Sequence, residues 1–167
     1  DKFLMLDYAY LGKGLNFGNV MYAHNFSDNV KLEKEHPEME KNNYFAVGVH
    51  FLDYGKMPYA DEYGNLSGLT FSAKYICINA IYARQLGPYC TVGVNIKPVY
   101  SIYETYSSFA LGADIGGHFQ TLDKSFQLGI ALRNIGWQMK GFYSEEGGQH
   151  REKLPLNLEL GLNYRIA

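Results

Sequence analysis

Five charged residues interrupt strand-like segments that otherwise carry small or apolar side chains, and they are the first candidates for chemistry. They are Lys97, Asp114, Arg133, Glu159 and Arg165. Asp114 and Glu159 have the carboxyl groups that general acid–base catalysis would need. Three basic side chains accompany them, however, and opposite charges within an enclosed polar space are expected to pair. The pattern therefore predicts a network of paired charges rather than a catalytic pair.

The other residues that could support catalysis or bind a metal lack the spacing that such chemistry requires. The five histidines are spread over different segments without ligand spacing. No serine stands in a nucleophile elbow of the form G-x-S-x-G, and Cys77 and Cys90 are too few for a disulfide framework. We therefore expect no enzymatic activity, no bound metal and no cofactor.

The composition excludes several broad classes of protein. The chain has 167 residues, of which 47% are hydrophobic, 16% aromatic and 19% charged, with 18 Gly and 15 Tyr. A formal net charge of -2 argues against nucleic acid as a partner. The aromatic content excludes disorder, and no uncharged apolar run reaches the ~18 residues of a membrane-spanning helix. These features predict one β-rich domain over residues 1–167.

An alternation of apolar and polar residues with a period of two dominates the chain, and it predicts an all-antiparallel meander of eight strands. The alternation is clearest over residues 91–100, 109–119, 126–133 and 154–166, and weaker over 3–11, 19–25, 43–52 and 71–84. Tight turns are predicted at 86–89, 104–107 and 121–125, and longer connections at 26–42, 56–68 and 141–153. A meander would place 56–68, 104–107 and 141–153 at one end of the sheet and the other three connections at the opposite end.

The predicted turn at 86–89 also sets the relation of the two cysteines. It places Cys90 opposite Gln85 and Cys77 opposite Pro98, which separates the cysteines by ~26 Å at ~3.3 Å per residue. A disulfide needs Cα atoms within ~7 Å. We therefore predict that the cysteines are unbridged and that Cys77 lies on the polar face of its strand.

The polar face of the predicted strands carries mostly small residues in place of charges. Examples are Gly93, Gly112, Gly116, Gly129 and Gly161. The water-facing surface of a soluble sheet usually carries many more charges, whereas a membrane barrel has an apolar outer face and a polar lumen. Aromatic residues near the predicted strand ends would suit an interfacial girdle. The pattern therefore favours a transmembrane outer-membrane β-barrel, with a soluble ligand-binding barrel as an alternative.

The number of strands leaves the size of the barrel open. Eight strands are enough to close a small barrel, and a larger barrel with further strands at both ends is equally compatible. Because the strand pattern continues to Ala167, we expect the chain to be part of a longer protein.

Two segments, GVNIKPVYSIYETYSSFALGADIGGHF (93–119) and GIALRNIGWQMK (129–140), resemble the PorQ family of the type IX secretion system. Segments 45–75 and 151–166 resemble the hairpin before them and the strand after them in that family, which is related to FadL-type and PorV-type outer-membrane barrels. The resemblance implies a non-enzymatic barrel of about fourteen strands in the bacterial outer membrane, of which this chain would form about eight.

The resemblance also implies a role at the cell surface. PorQ-like proteins belong to an attachment complex with PorU-like and PorV-like proteins and hold a PorZ-like protein there, so outer-membrane lipid and these proteins are the expected partners. Exposed loops on a rigid scaffold are where recognition groups concentrate. The candidate partner-binding residues of loops 56–68 and 141–153 are Tyr59, Asp61, Glu62, Tyr63, Asn65, Ser144, Glu145, Glu146, Gln149, His150 and Arg151. The alternative function is a FadL-like channel for hydrophobic small molecules.

Overall fold

The chain folds as a meander of long antiparallel strands. The computed structural model describes residues 2–27, 42–61, 63–142, 144–145, 148–149 and 151–165. The strands are β1 (Lys2–Tyr10), β2 (Asn16–Ser27), β3 (Asn42–Ala60), β4 (Leu66–Gln85), β5 (Cys90–Tyr103), β6 (Tyr106–Gln120), β7 (Phe126–Lys140), β8 (Ser144–Glu145), β9 (Gly148–Gln149) and β10 (Asn157–Tyr164). Eight of them form one open sheet in the order β1-β2-β3-β4-β5-β6-β7-β10, while β8 and β9 pair with each other. The expected all-β antiparallel meander of eight strands is confirmed.

Two details of the sequence prediction are wrong. Segment 56–68 is mostly strand, because β3 continues to Ala60 and β4 begins at Leu66. The register of the β4–β5 hairpin is also shifted by one residue, so that Cys77 lies opposite Val99. The shift arises because the N–H of Leu86 donates to the carbonyl oxygen of Cys90 at 2.7 Å, which extends the ladder and shortens the turn. Both cysteines are free, and Cys77 is buried on the polar side of β4.

One face of the sheet, here called the apolar face, carries large apolar side chains from strand to strand. A single row of paired residues crosses six strands and consists of Phe45, Tyr82, Val94, Ile115, Leu132 and Leu158. Side chains in a strand alternate between the two faces, so the residues two positions away continue the same face. Much of this surface is uncovered, with Ile115 54% exposed and Leu158 60% exposed.

The opposite face, here called the polar face, is lined by small and polar residues. The neighbouring row consists of Ala83, Gly93, Gly116, Ala131 and Glu159. Among the described residues other than glycine, the least exposed, at 4% to 8%, all lie on this face: Asn19, Cys77, Lys97, Ser108 and Ala110. A cavity of about 640 Å³ adjoins five consecutive strands of this face, from β4 to β10. The sheet therefore curves around the polar face, which is concave.

Candidate functional site

The centre of the concave polar face holds a buried ion pair between Lys97 of β5 and Asp114 of β6. The Nζ of Lys97 lies 2.6 Å from Oδ1 of Asp114, and the two side chains are only 10% and 15% exposed. Lys97 also donates to Oδ1 of Asn134 at 2.6 Å. Asn95 donates to Oδ2 of Asp114 at 3.1 Å and to Oδ1 of Asn79 at 2.9 Å. These contacts join four strands, from β4 to β7, through side chains on one face.

The other three predicted charges are arranged differently. Arg133 and Glu159 form a second ion pair at 3.1 Å, but their side chains are 49% and 47% exposed. Pairs with that degree of exposure contribute little to stability. Arg165 lies just after the end of β10. Its backbone N–H donates to the carbonyl oxygen of Ser125 at 2.8 Å. Among the described residues, its guanidinium has no ion pair.

The charges of this network were predicted from the sequence, but its three amides, Asn79, Asn95 and Asn134, were not among the candidates. Asn79 has the same parity in its strand as Cys77. Asn134 has a φ of 62°, which is unusual for a residue other than glycine. The sequence did contain a signal for Asn134. It stands two residues after Leu132, where strict alternation would require an apolar residue.

The two ends of the sheet differ in how far the strands extend. The β2–β3 ladder ends at Asn16 and Asp53, and the β4–β5 ladder ends at Ala73 and Tyr103. Residues 54–60 of β3 and 66–71 of β4, with the described residues of the turn between them, therefore project beyond both neighbouring strands as a two-stranded unit, here called the ribbon. It contains four of the predicted partner-binding residues, since Tyr59, Asp61, Tyr63 and Asn65 lie on it. Its tip is open to solvent, with Tyr63 82% exposed.

Hydrogen bonds fix the tip of the ribbon. Oδ1 of Asp61 accepts the backbone N–H groups of Tyr63 at 3.0 Å and of Asn65 at 2.7 Å. Oδ2 of Asp61 accepts the side-chain amide of Asn65 at 2.9 Å. These bonds, led by the one from the Asn65 side chain, lower the pKa of Asp61 below its ordinary value. The tip is thus held in one conformation by an ionised carboxylate.

The base of the ribbon packs tightly against the β1–β2 turn. Gly55 has a φ of 71°, and a Cβ there would lie 2.7 Å from the carbonyl carbon of Gly14. Only glycine tolerates both the conformation and the close approach. Oδ1 of Asp53 accepts the N–H of Gly55 at 2.9 Å, while Oδ2 of Asp53 pairs with Lys74 at 3.3 Å. The ribbon is therefore braced where it leaves the sheet.

Aromatic rings continue the polar face onto the ribbon. The ring of Phe71 lies 4.8 Å from that of Tyr59 and 5.1 Å from that of Tyr103, measured between centroids. Offset or tilted ring pairs at such distances are stabilising. The nearby Glu104 carboxylate, chiefly through hydrogen bonding to the Tyr59 hydroxyl, raises the pKa of Tyr59 from 10.0 to about 12.

We expect Glu104→Gln to return the pKa of Tyr59 from about 12 toward 10.0. The physical reason is that a neutral amide neither repels the phenolate nor holds the phenolic proton as a carboxylate does. Alkaline absorbance titration measures the change as the difference between each protein and the same protein carrying Tyr59→Phe. An unaltered pKa in Glu104→Gln would contradict the contact between the two side chains.

The second predicted partner-binding loop lies at the same end of the sheet as the ribbon. Ser144, Glu145 and Gln149 belong to the short β8–β9 hairpin, and Arg151 is exposed beyond it. Glu62, Glu146 and His150 lie outside the described residues. The meander therefore places both predicted loops at one end, with the tight turns at 86–89 and 121–125 at the other.

The described part of the chain has no cluster of three or more His, Cys, Asp or Glu side chains that could hold a metal ion. Within the described ranges, no helix is long and apolar enough to cross a membrane. Comparison of the chain with protein-family models, with curated proteins and with solved structures finds no match.

Proposed function

We propose that this chain forms part of a transmembrane β-barrel of a bacterial outer membrane, with its apolar face against lipid and its polar face toward the lumen. The height of the apolar face is the observation that carries this proposal. Phe109 and Phe119 lie at its two ends on β6. They are ~33 Å apart along the strand at ~3.3 Å per residue. A tilt of ~40° reduces this to ~25 Å, the height of the apolar band in such barrels.

We further propose that the barrel is not an enzyme and that it anchors a protein at the cell surface. The resemblance to PorQ-like proteins suggests a PorZ-like partner within the type IX secretion attachment complex, in a barrel of about fourteen strands. The braced ribbon supports this proposal because it presents exposed side chains, such as Tyr63, in a fixed geometry beyond the sheet. The β8–β9 hairpin adds a second element at the same end.

Replacing residues 143–150 by a short turn is expected to release the surface partner and leave the sheet folded. The deletion stops before Glu152 because the N–H of Gln138 donates to the Glu152 carbonyl at 2.8 Å, which makes Glu152 part of the β7 ladder. Pull-down of the full-length protein from solubilised membranes, with mass spectrometry of its companions, measures the loss.

The control for this deletion lies at the opposite end of the sheet. Leu122→Ser with Lys124→Ser alters the exposed β6–β7 turn and should leave the partner bound. Retention of the partner by the shortened protein would exclude the 143–150 segment as the docking site. The ribbon would then be tested by Tyr63→Ala with Leu66→Ser, and retention there as well would contradict the anchoring function.

A channel for hydrophobic small molecules is the second candidate, and the cavity of about 640 Å³ favours it. The charges of Asp114, Arg133 and Glu159 at the wall of this cavity favour polar contents instead. Saturable binding of a long-chain fatty acid that is abolished by Gly116→Leu would support the channel. No binding, or binding unaffected by Gly116→Leu, would leave the anchoring function as the better account.

A further inference from the structure

Partway along strand β7, the apolar residues pass from even-numbered to odd-numbered positions in the sequence. Before the change these residues are Leu128, Ile130 and Leu132, and beyond it they are Ile135, Trp137 and Met139. Strict alternation from Leu132 would instead place Asn134, Gly136 and Gln138 on the apolar face. The observed arrangement keeps the apolar face continuous, with Trp137 56% exposed on it.

A β-bulge between β6 and β7 produces this change. Ala113 lies opposite Ile135, whereas Ile115 lies opposite Leu132, so that Arg133 and Asn134 together face Asp114. An extra residue of this kind leaves one residue out of the ladder and shifts the alternation by one. The positive φ of Asn134, 62°, marks the point of the shift.

The carboxylate of Asp114 holds the bulge in place. Its Oδ1 accepts the backbone N–H of Asn134 at 2.8 Å, a group that the bulge removes from the regular ladder. Lys97 bonds to both Asp114 and the side chain of Asn134 at 2.6 Å. Beyond the bulge the backbones approach so closely that a Cβ at Gly136 would collide with the carbonyl oxygen of Leu111.

The segment just before β10 follows the same change, although its contacts with β7 keep the register of the β7–β10 ladder. The side-chain amide of Asn134 donates to the carbonyl of Pro155 at 3.0 Å, and the N–H of Leu154 donates to Gly136 at 3.0 Å. Leu154 packs over Gly112 and the Lys97 side chain on the polar face. Leu158, with the same parity, lies on the apolar face and is 60% exposed. The parity of the residues on each face therefore shifts at the same level in β7 and in the segment before β10.

We propose that Asp114 is the positioning residue that determines which side chains β7, and residues 152–154 that bond to it, present to each face beyond this level. By binding the N–H of Asn134 and the amine of Lys97, its carboxylate selects the bulged register over the regular one. The bulged register turns Trp137 toward the surrounding medium and Gln138 toward the lumen. The inference rests on the proposed membrane barrel only in taking that medium to be lipid.

Trp137 is a built-in reporter of this facing, because it is the single tryptophan of the chain. The protein is reconstituted into vesicles whose acyl chains are brominated near the glycerol end, and its fluorescence is compared with that in unbrominated vesicles. We expect strong quenching of wild-type Trp137 and loss of most of that quenching in Asp114→Ala, with a red-shifted emission. Asp114→Asn keeps an oxygen that accepts the Asn134 N–H, so it should retain the wild-type quenching.

Glu159→Gln is the matched control, since it breaks the other ion pair of the polar face and leaves the hydrogen bonds of Asp114 and Asn134 in place. Equal quenching in wild type and an inserted Asp114→Ala would overturn the proposal, as would equal loss in Asp114→Asn and Asp114→Ala. If wild-type Trp137 is not quenched by brominated lipid, the membrane proposal itself fails, whatever the variants do.

If Asp114→Ala does not insert into vesicles, a second pair of variants tests whether the bulge sets the facing of Trp137. Asn134→Gly keeps the positive φ and the backbone N–H, so it should preserve the quenching of Trp137. Asn134→Val disfavours that conformation because its side chain is β-branched, so it should lose the quenching. Wild-type quenching in Asn134→Val, or loss of quenching in Asn134→Gly, would contradict a facing set by the bulge.

Discussion

Replacing Lys97 by methionine is expected to lower the free energy of unfolding by ~3–5 kcal/mol, because it leaves the charge of a buried partner uncompensated. The two side chains are 10% and 15% exposed, and their charged atoms lie 2.6 Å apart. Methionine preserves most of the length and the apolar stem of lysine, so the change is confined to the charge and its hydrogen bonds. Urea unfolding in lipid vesicles, followed by tryptophan fluorescence, measures the loss.

Arg133→Met is the control for this prediction. It removes the basic partner of the second ion pair, whose side chains are 49% and 47% exposed. Because exposed pairs contribute ~0–1 kcal/mol, its effect should be several-fold smaller. Equal effects of the two substitutions would show that burial does not distinguish the two pairs.

An arginine in place of Val94 is expected to destabilise the protein by ~2–4 kcal/mol, the cost of this side chain near the midplane on the lipid face of a barrel. Val94 lies in the apolar row between Tyr82 and Ile115, at the centre of the sheet. The same urea unfolding in vesicles measures the effect.

Thr91→Arg is the matched control, because Thr91 lies on the same strand but on the polar face, at the wall of the cavity. An arginine there can extend into the open space on the concave side of the sheet, so its cost should be small. A cost for Thr91→Arg that equals or exceeds the cost for Val94→Arg would contradict the assignment of the two faces.

The strands and their faces could be predicted from the sequence because a period of two survives wherever one face is apolar and the other is not. Residues 91–100 and 109–119 show this, since Gly93, Gly112 and Gly116, which were predicted on the polar face, lie there. The register of the β4–β5 hairpin was one residue off because the number of residues in a turn is a backbone property that alternation does not report.

The bulge and its network could not be predicted in the same way. The alternation over residues 126–133 ends where the bulge inserts an extra residue into β7. The apolar residues before it are even-numbered, and those that resume at Ile135 are odd-numbered. Nothing in the period identifies the carboxylate that stabilises such a shift, because Asp114 and Asn134 meet only through pairing between strands. Lys97 and Asp114 could be predicted as polar-face charges, but their burial depends on the curvature of the sheet.

The ribbon was predicted as a loop because its sequence does not alternate regularly. Gly55, Pro58 and Gly68 break the alternation of residues 54–71, and short breaks of this kind usually indicate a connection. The segment remains strand because its two halves pair with each other, with Met57 opposite Phe71. A bulge next to Gly55 accommodates the irregularity.

The behaviour of the wild-type protein without detergent tests most directly the claim that the apolar face meets lipid. We predict that the protein is recovered folded in detergent or in lipid vesicles, that it resists extraction from those vesicles by alkaline carbonate, and that it aggregates when detergent is removed. Recovery of folded, monodisperse protein in detergent-free buffer would contradict the account.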